Sequence, residues 1–279
     1  MRFKLQATVP HFCFLLATGL SVPAWAQAAT SPMPLVSHKA IYELRLLEGI
    51  GTKAPLGANG QIAFDFSSSP CEGYAQTLRQ VVEMQPQEGE PHLSETRSTT
   101  YEDAKGADFH FNVTTPSEKG AAEVDGQAVR NNQGAVAIAL NSPEPIKLKA
   151  DSQVLFPTQH IERLLDSARA GEKVMQAQVY DGSDNGQKIF NVTAIIGQPV
   201  SGPDADKGAQ AQQLQGLRRW PVALSYFPSS VRDGAPDYVL SFNLYENGVS
   251  SGLKLDYGDF ILAGELMRID FPAPAKCPR

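Results

Sequence analysis

DYVLSFNLYENGVSSGLKLDYGDFILAGELMRIDF, residues 237–271, is the stretch from which the fold class is read. Leu240, Phe242 and Leu244 alternate with Ser241, Asn243 and Tyr245. Beyond Glu246-Asn247-Gly248, Leu253, Leu255 and Tyr257 alternate with Lys254 and Asp256. Successive side chains of a strand point to opposite faces, so a two-residue period on both sides of an Asn-Gly step marks a half-buried β-hairpin. The parity then slips, since Tyr257 is odd whereas Phe260 and Leu262 are even. The slip predicts a bulge or bend at Gly258-Asp259, ahead of a last strand through Met267, Ile269 and Phe271.

The same alternation recurs upstream. Ala40, Tyr42, Leu44 and Leu46 share one parity, as do Ile62, Phe64 and Phe66, and then Trp220, Val222, Leu224 and Tyr226. Between them lie similar segments at 74–84, 93–101, 109–113, 121–129, 136–140, 176–180 and 188–196, separated by Gly, Asp, Asn and Pro. The pattern predicts an all-β chain of roughly fourteen strands in an antiparallel meander. One helix interrupts it, over about 158–170: Pro157 stops the preceding strand, Thr158 is placed to cap, and Gly171 ends the helix. Ile161, Leu164, Leu165 and Ala168 form a single apolar stripe that covers an open sheet face or plugs one end of a barrel. His160, in the first turn, is expected at the surface. Ser201 to Gln213 is polar and low in bulk and is expected to be a mobile loop.

Arg2 and Lys4 precede an apolar run that closes on Ala24-Trp25-Ala26 and Ala26-Gln27-Ala28, the layout of a cleaved secretory signal over residues 1–28. A single domain, 29–279, is expected to follow. No later run is long and apolar enough for a helical membrane span, and charged residues on the alternate strand faces argue against a transmembrane barrel. The chain holds 30 acidic against 24 basic residues, and two of the basic ones leave with the leader. An acidic chain with no basic run is a poor partner for nucleic acid. In an exported chain, Cys71 and Cys277 are read most simply as a disulfide, with two unrelated free thiols as the alternative.

Motifs that carry chemistry are sparse. Asp181, Ser183 and Asn185 imitate the start of a calcium loop, but Val192 stands where the bidentate Glu belongs and no helix follows, so a turn is expected. His38, His92, His110 and His160 have no zinc spacing, and His110 is expected to face solvent between Phe109 and Phe111. Asn112 and Asn191 head glycosylation-type tripeptides, which read equally as alternating strand residues. There is no nucleophile elbow, His-Glu-x-x-His helix or phosphate loop. No metal, cofactor or catalytic residue is predicted.

Several segments nevertheless occur in a specific order. They are Phe156-Pro157-Thr158 with His160, Tyr180-Asp181-Gly182-Ser183, Trp220-Pro221-Val222, Ser225-Tyr226-Phe227, Tyr245 to Val249 and Leu255 to Phe260. With Cys71 and Cys277 they resemble the EipB family of cell-envelope integrity proteins of Gram-negative bacteria, over nearly the whole mature chain. Tyr180 stands where that pattern leads to Phe. The resemblance implies a periplasmic protein with one spiralling, broken-barrel-like antiparallel sheet carrying a helix, similar in part to periplasmic lipoprotein carriers. It also implies a Cys71–Cys277 disulfide and no catalytic residues. The expected function is non-enzymatic maintenance of the envelope under stress, by a monomer that binds a protein partner or an acyl-bearing ligand. Lipid or lipoprotein carriage is the alternative, and hydrolysis of envelope polymers a third reading.

Overall fold

In the computed structural model, residues 33–117, 120–151, 153–229, 234–273 and 277 are described. The expected signal, residues 1–28, lies outside them. The first half of the fold is a meander of eight strands: β1 (His38–Gly49), β2 (Gly57–Ser69), β3 (Gly73–Gln85), β4 (His92–Glu102), β5 (Asp108–Ser117), β6 (Gly120–Arg130), β7 (Val136–Ser142) and β8 (Ile146–Ala150). Helix α1 (Pro157–Arg169) follows. Six more strands complete the fold: β9 (Val174–Val179), β10 (Phe190–Ile196), β11 (Arg219–Pro228), β12 (Tyr238–Tyr245), β13 (Ser250–Asp256) and β14 (Phe260–Asp270).

All fourteen strands belong to one sheet, and every neighbouring pair is antiparallel. The order is β8 to β1, then β14 down to β9, so the first and last strands pair in the middle and β8 and β9 form the two edges. The sheet is therefore not closed. At one edge, Leu155 bridges to β9, donating to Gln178 O at 2.8 Å and accepting from Tyr180 N at 3.0 Å.

Helix α1 is held from both limbs of the sheet, which places it on the concave side of the curl. Tyr74 of β3 donates to Glu162 at 2.7 Å, Gln76 of β3 donates to Thr158 at 3.3 Å, and Arg169 donates to Glu246 O at 2.9 Å. Leu164, Leu165 and Ala168 pack with Val179, Phe190 and Trp220 from the other limb. Burial of such apolar side chains stabilises the fold by roughly 1.5–3 kcal/mol each.

Several expectations need correction. Of the bulge or bend expected at Gly258-Asp259, the structure has the bend, which is the turn of the β13–β14 hairpin. Tyr257 N donates to Phe260 O at 3.0 Å and Gly258 has φ +84°, a conformation open to glycine at the first central position of a two-residue hairpin. The register shifts lie elsewhere, at Ile41/Tyr42, Leu46/Glu48, Asp125/Gly126 and Ser241/Asn243. Phe156, not Thr158, is the residue before the first helical turn, and Gln159 Oε1 accepts from its N–H at 3.1 Å. Residues 201–213 are pinned rather than loose. The carboxylate of Asp206, only 7% exposed, accepts from Gly252 N at 2.7 Å and Leu266 N at 2.9 Å. Asp204 accepts from Tyr245 and Ser251 at 2.9 and 2.7 Å, and lies 3.1 Å from Arg219 Nε.

Candidate functional site

Three polar or aromatic constellations stand out on this scaffold. The first lies where β4 ends against the start of α1. Glu102 Oε1 accepts from Thr158 N at 2.5 Å and Oε2 from Gln159 N at 3.4 Å, supplying the cap that the helix's own sequence does not. Glu102 is 1% exposed; burial pushes its carboxyl up to about 7, against the opposing pull of the Thr158 and Gln159 hydrogen bonds. His160 is not at the surface but 2% exposed, with no partner for Nε2, and burial lowers it to about 4. Both groups are sealed inside, so this constellation docks the helix.

The second is the Asp204–Asp206–Arg219 group beneath residues 201–216. Burial alone would raise both carboxyls. Asp204 is instead held below its ordinary value by hydrogen bonds from Ser251, the Asp206 N–H and Tyr245 and by the Arg219 charge, whereas burial prevails at Asp206 and raises it. The carboxylate contacts are spent on side chains of β11, β12 and β13, on main chain of β13 and β14, and on the Asp206 N–H. This group is structural too.

The third is open. A cleft of about 530 Å³ is lined by Thr96 of β4, by Ser183, Asp184, Lys188 and Phe190, and by the ends of β12 and β13, including Leu240, Leu255 and Tyr257. Strands β4 and β13 are five places apart in the sheet, so the cleft spans the curl and opens from its concave side. Phe190, Tyr238 and Tyr257 are its aromatic lining, and Tyr226 backs Tyr238. Tyr226 and Tyr238 stack with ring centres 4.3 Å apart, and Phe190 meets both edge-on at 5.8 and 6.1 Å. Burial raises both tyrosine hydroxyls well above their ordinary value, so they stay neutral. At the rim, Lys188 lies 2.9 Å from Asp237, contacts Asp184, and places its ammonium 5.9 Å from the Phe190 ring centre. The volume and the apolar lining with a few polar groups are those of small-ligand sites.

The residues singled out in the sequence are dispersed. Cys71, in the corner after β2, and Cys277 are joined, with Cα atoms 5.8 Å apart across 206 residues of chain. They lie away from the cleft lining. His38 is buried, its Nδ1 2.9 Å from Val36 O, and His92 and His110 are exposed on strands. Among the described residues no three His, Cys, Asp or Glu side chains group as metal ligands. Asp181 accepts from Ser183 N and Oγ at 3.0 and 2.7 Å, making a local turn that leads into Asp184 and Asn185 at positive φ. Tyr180 donates to Gly186 O at 2.7 Å and so ties that turn, a bond Phe would not make. Phe190, Tyr226 and Tyr238 were legible only as alternating strand residues; their convergence across β10, β11 and β12 depends on register.

The EipB-like family model matches residues 29–272. The chain is 33% identical over 261 residues to the cell envelope integrity protein EipB of Brucella abortus (strain 2308), covering 91% of this chain and 92% of that protein. A crystal structure of a β-barrel-like protein of the domain of unknown function DUF1849, also from Brucella abortus, superposes with a TM-score of 0.79 at 32% identity. That match covers 86% of this chain and all of the other. With the family model matched over residues 29–272 and near full-length similarity to the Brucella protein, this chain belongs to the EipB-like family.

Proposed function

We propose that this protein maintains the integrity of the cell envelope from the periplasm, by binding rather than by catalysis, and that the aromatic cleft is where it binds. The observation that carries the reading is the cleft itself. It opens between strands of both limbs of the sheet, with apolar walls at Phe190, Leu240 and Leu255. The envelope role is supported by family membership and by the name of the Brucella relative, and the periplasmic location by the leader-like residues 1–28. The apolar lining favours an acyl-bearing ligand over a wholly polar one.

The test is complementation of a deletion strain with Leu240→Arg and Leu255→Arg, each first shown to keep the wild-type melting temperature. Loss of resistance to detergent and cell-wall antibiotics is expected. Full rescue by both would remove the cleft from the function. Native mass spectrometry of protein taken from the periplasm should show lipid-sized adducts that both variants lack.

A further inference from the structure

The charges around the cleft are one-sided. Among the described residues, Asp184, Asp237 and Asp256 line it, and Lys188 is the one basic residue there. Lys188 is already engaged by Asp184 and Asp237. Asp256 has no ion-pair partner among the described residues; its Oδ1 accepts from Gly258 N at 2.8 Å. Beside it Tyr257, 39% exposed, packs on Phe260 with ring centres 5.1 Å apart. A carboxylate next to an exposed aromatic ring attracts an ammonium both by charge and by the ring's negative face. The rim already contains one such contact, Lys188 over Phe190.

The main chain narrows the ligand further. Val239 is paired with both Ser225 and Asp256, and Leu240 with both Leu224 and Leu255, so the β12 wall of the cleft offers no free strand edge to an extended peptide. Along that wall recognition comes from side chains: apolar walls for a tail and acidic, aromatic groups for a head.

From these observations we infer that the cleft takes a cationic amphiphile, its alkyl tail between Phe190, Leu240 and Leu255 and its ammonium head at Asp256, Tyr257 and Asp237. The inference rests on the cleft being the binding site. An anionic lipid of equal tail length is disfavoured there by the surplus carboxylates.

Decyltrimethylammonium and decanoate separate the two charge types at one chain length. Titrated by calorimetry below their micelle concentrations in low salt, the cation should bind about tenfold more tightly, and added salt should shrink the preference. Asp256→Asn and Asp237→Asn should each reduce it, and Lys188→Met should increase it, with melting temperatures held near wild type. Equal affinities, or tighter decanoate binding, would overturn the charge inference while leaving the cleft as a site. Cation binding untouched by either Asn variant would place it elsewhere and overturn the inference. Failure of both probes to bind would remove the cleft reading together with the inference.

Discussion

Glu102 and His160 are both sealed near the start of α1, and their titrations act in opposite directions. The Glu102 carboxyl rises from an ordinary 4.5 to about 7 on burial, so its contribution is fully present below 4.5 and is lost as pH climbs through 7. The His160 imidazole falls from 6.5 to about 4, so its contribution is present above 6.5 and is lost as pH drops through 4. Urea unfolding at pH 4, 6 and 8 should resolve the two. Glu102→Gln should remove roughly 2 kcal/mol of the wild-type decline on the alkaline side, and His160→Gln a similar amount on the acid side. Parallel pH profiles for wild type and both variants would show that neither group titrates as its burial implies. Neither burial was legible in the sequence. His160 sits in a polar run, Thr158-Gln159-His160, and only the sheet curling over α1 turns it inward.

At the scale of elements, alternation carried most of the information. Strands β1, β2, β11 and β12 follow the parity of their apolar residues because one face of each meets the core. Strand β8, Ile146–Ala150, was passed over: it is five residues long, and its alternate positions are Lys147 and Lys149, the charges that keep an open sheet edge from pairing with strangers. The slip at Gly258 was legible only as a bulge or a bend, because a parity change looks the same for a bulge and for a two-residue turn. The turn makes a sharp demand on one residue. Gly258→Val should lower stability by about 1–2 kcal/mol, since a β-branched residue resists positive φ, whereas Lys254→Val, on the exposed face, should change it by less than about 0.5 kcal/mol. Thermal melts of the two variants make the comparison; equal losses would mean that the turn conformation is not what glycine serves. Residues 201–213 failed differently. Their low bulk suggested mobility, and only the approach of β13 and β14 supplies the Gly252 and Leu266 N–H groups that fix Asp206.

For the whole molecule, the disulfide is the one covalent tie between distant parts of the chain. Cys71 follows β2 and Cys277 follows β14, so the bridge reinforces a region where β2, β1 and β14 already lie side by side. By loop-closure entropy it contributes up to about 5 kcal/mol. Reduction should lower the melting temperature by several degrees, and Cys71→Ser, Cys277→Ser and the double variant should all show the same loss. An unchanged melting temperature after verified reduction would remove its stabilising role.

The strand order also sets a schedule. Strand β1 finds β2 within a few residues of chain, but its other partner, β14, begins more than two hundred positions later. A chain threaded through a membrane from its first residue would present β1 with one flank bare until nearly everything else had emerged. Contacts closed across so long a stretch form slowly, and bare flanks recruit wrong partners meanwhile. The central seam, buried and doubly paired in the finished protein, is thus the last place to be completed. In any such order of emergence the Cys71–Cys277 bridge, too, can close only after the last strand has arrived.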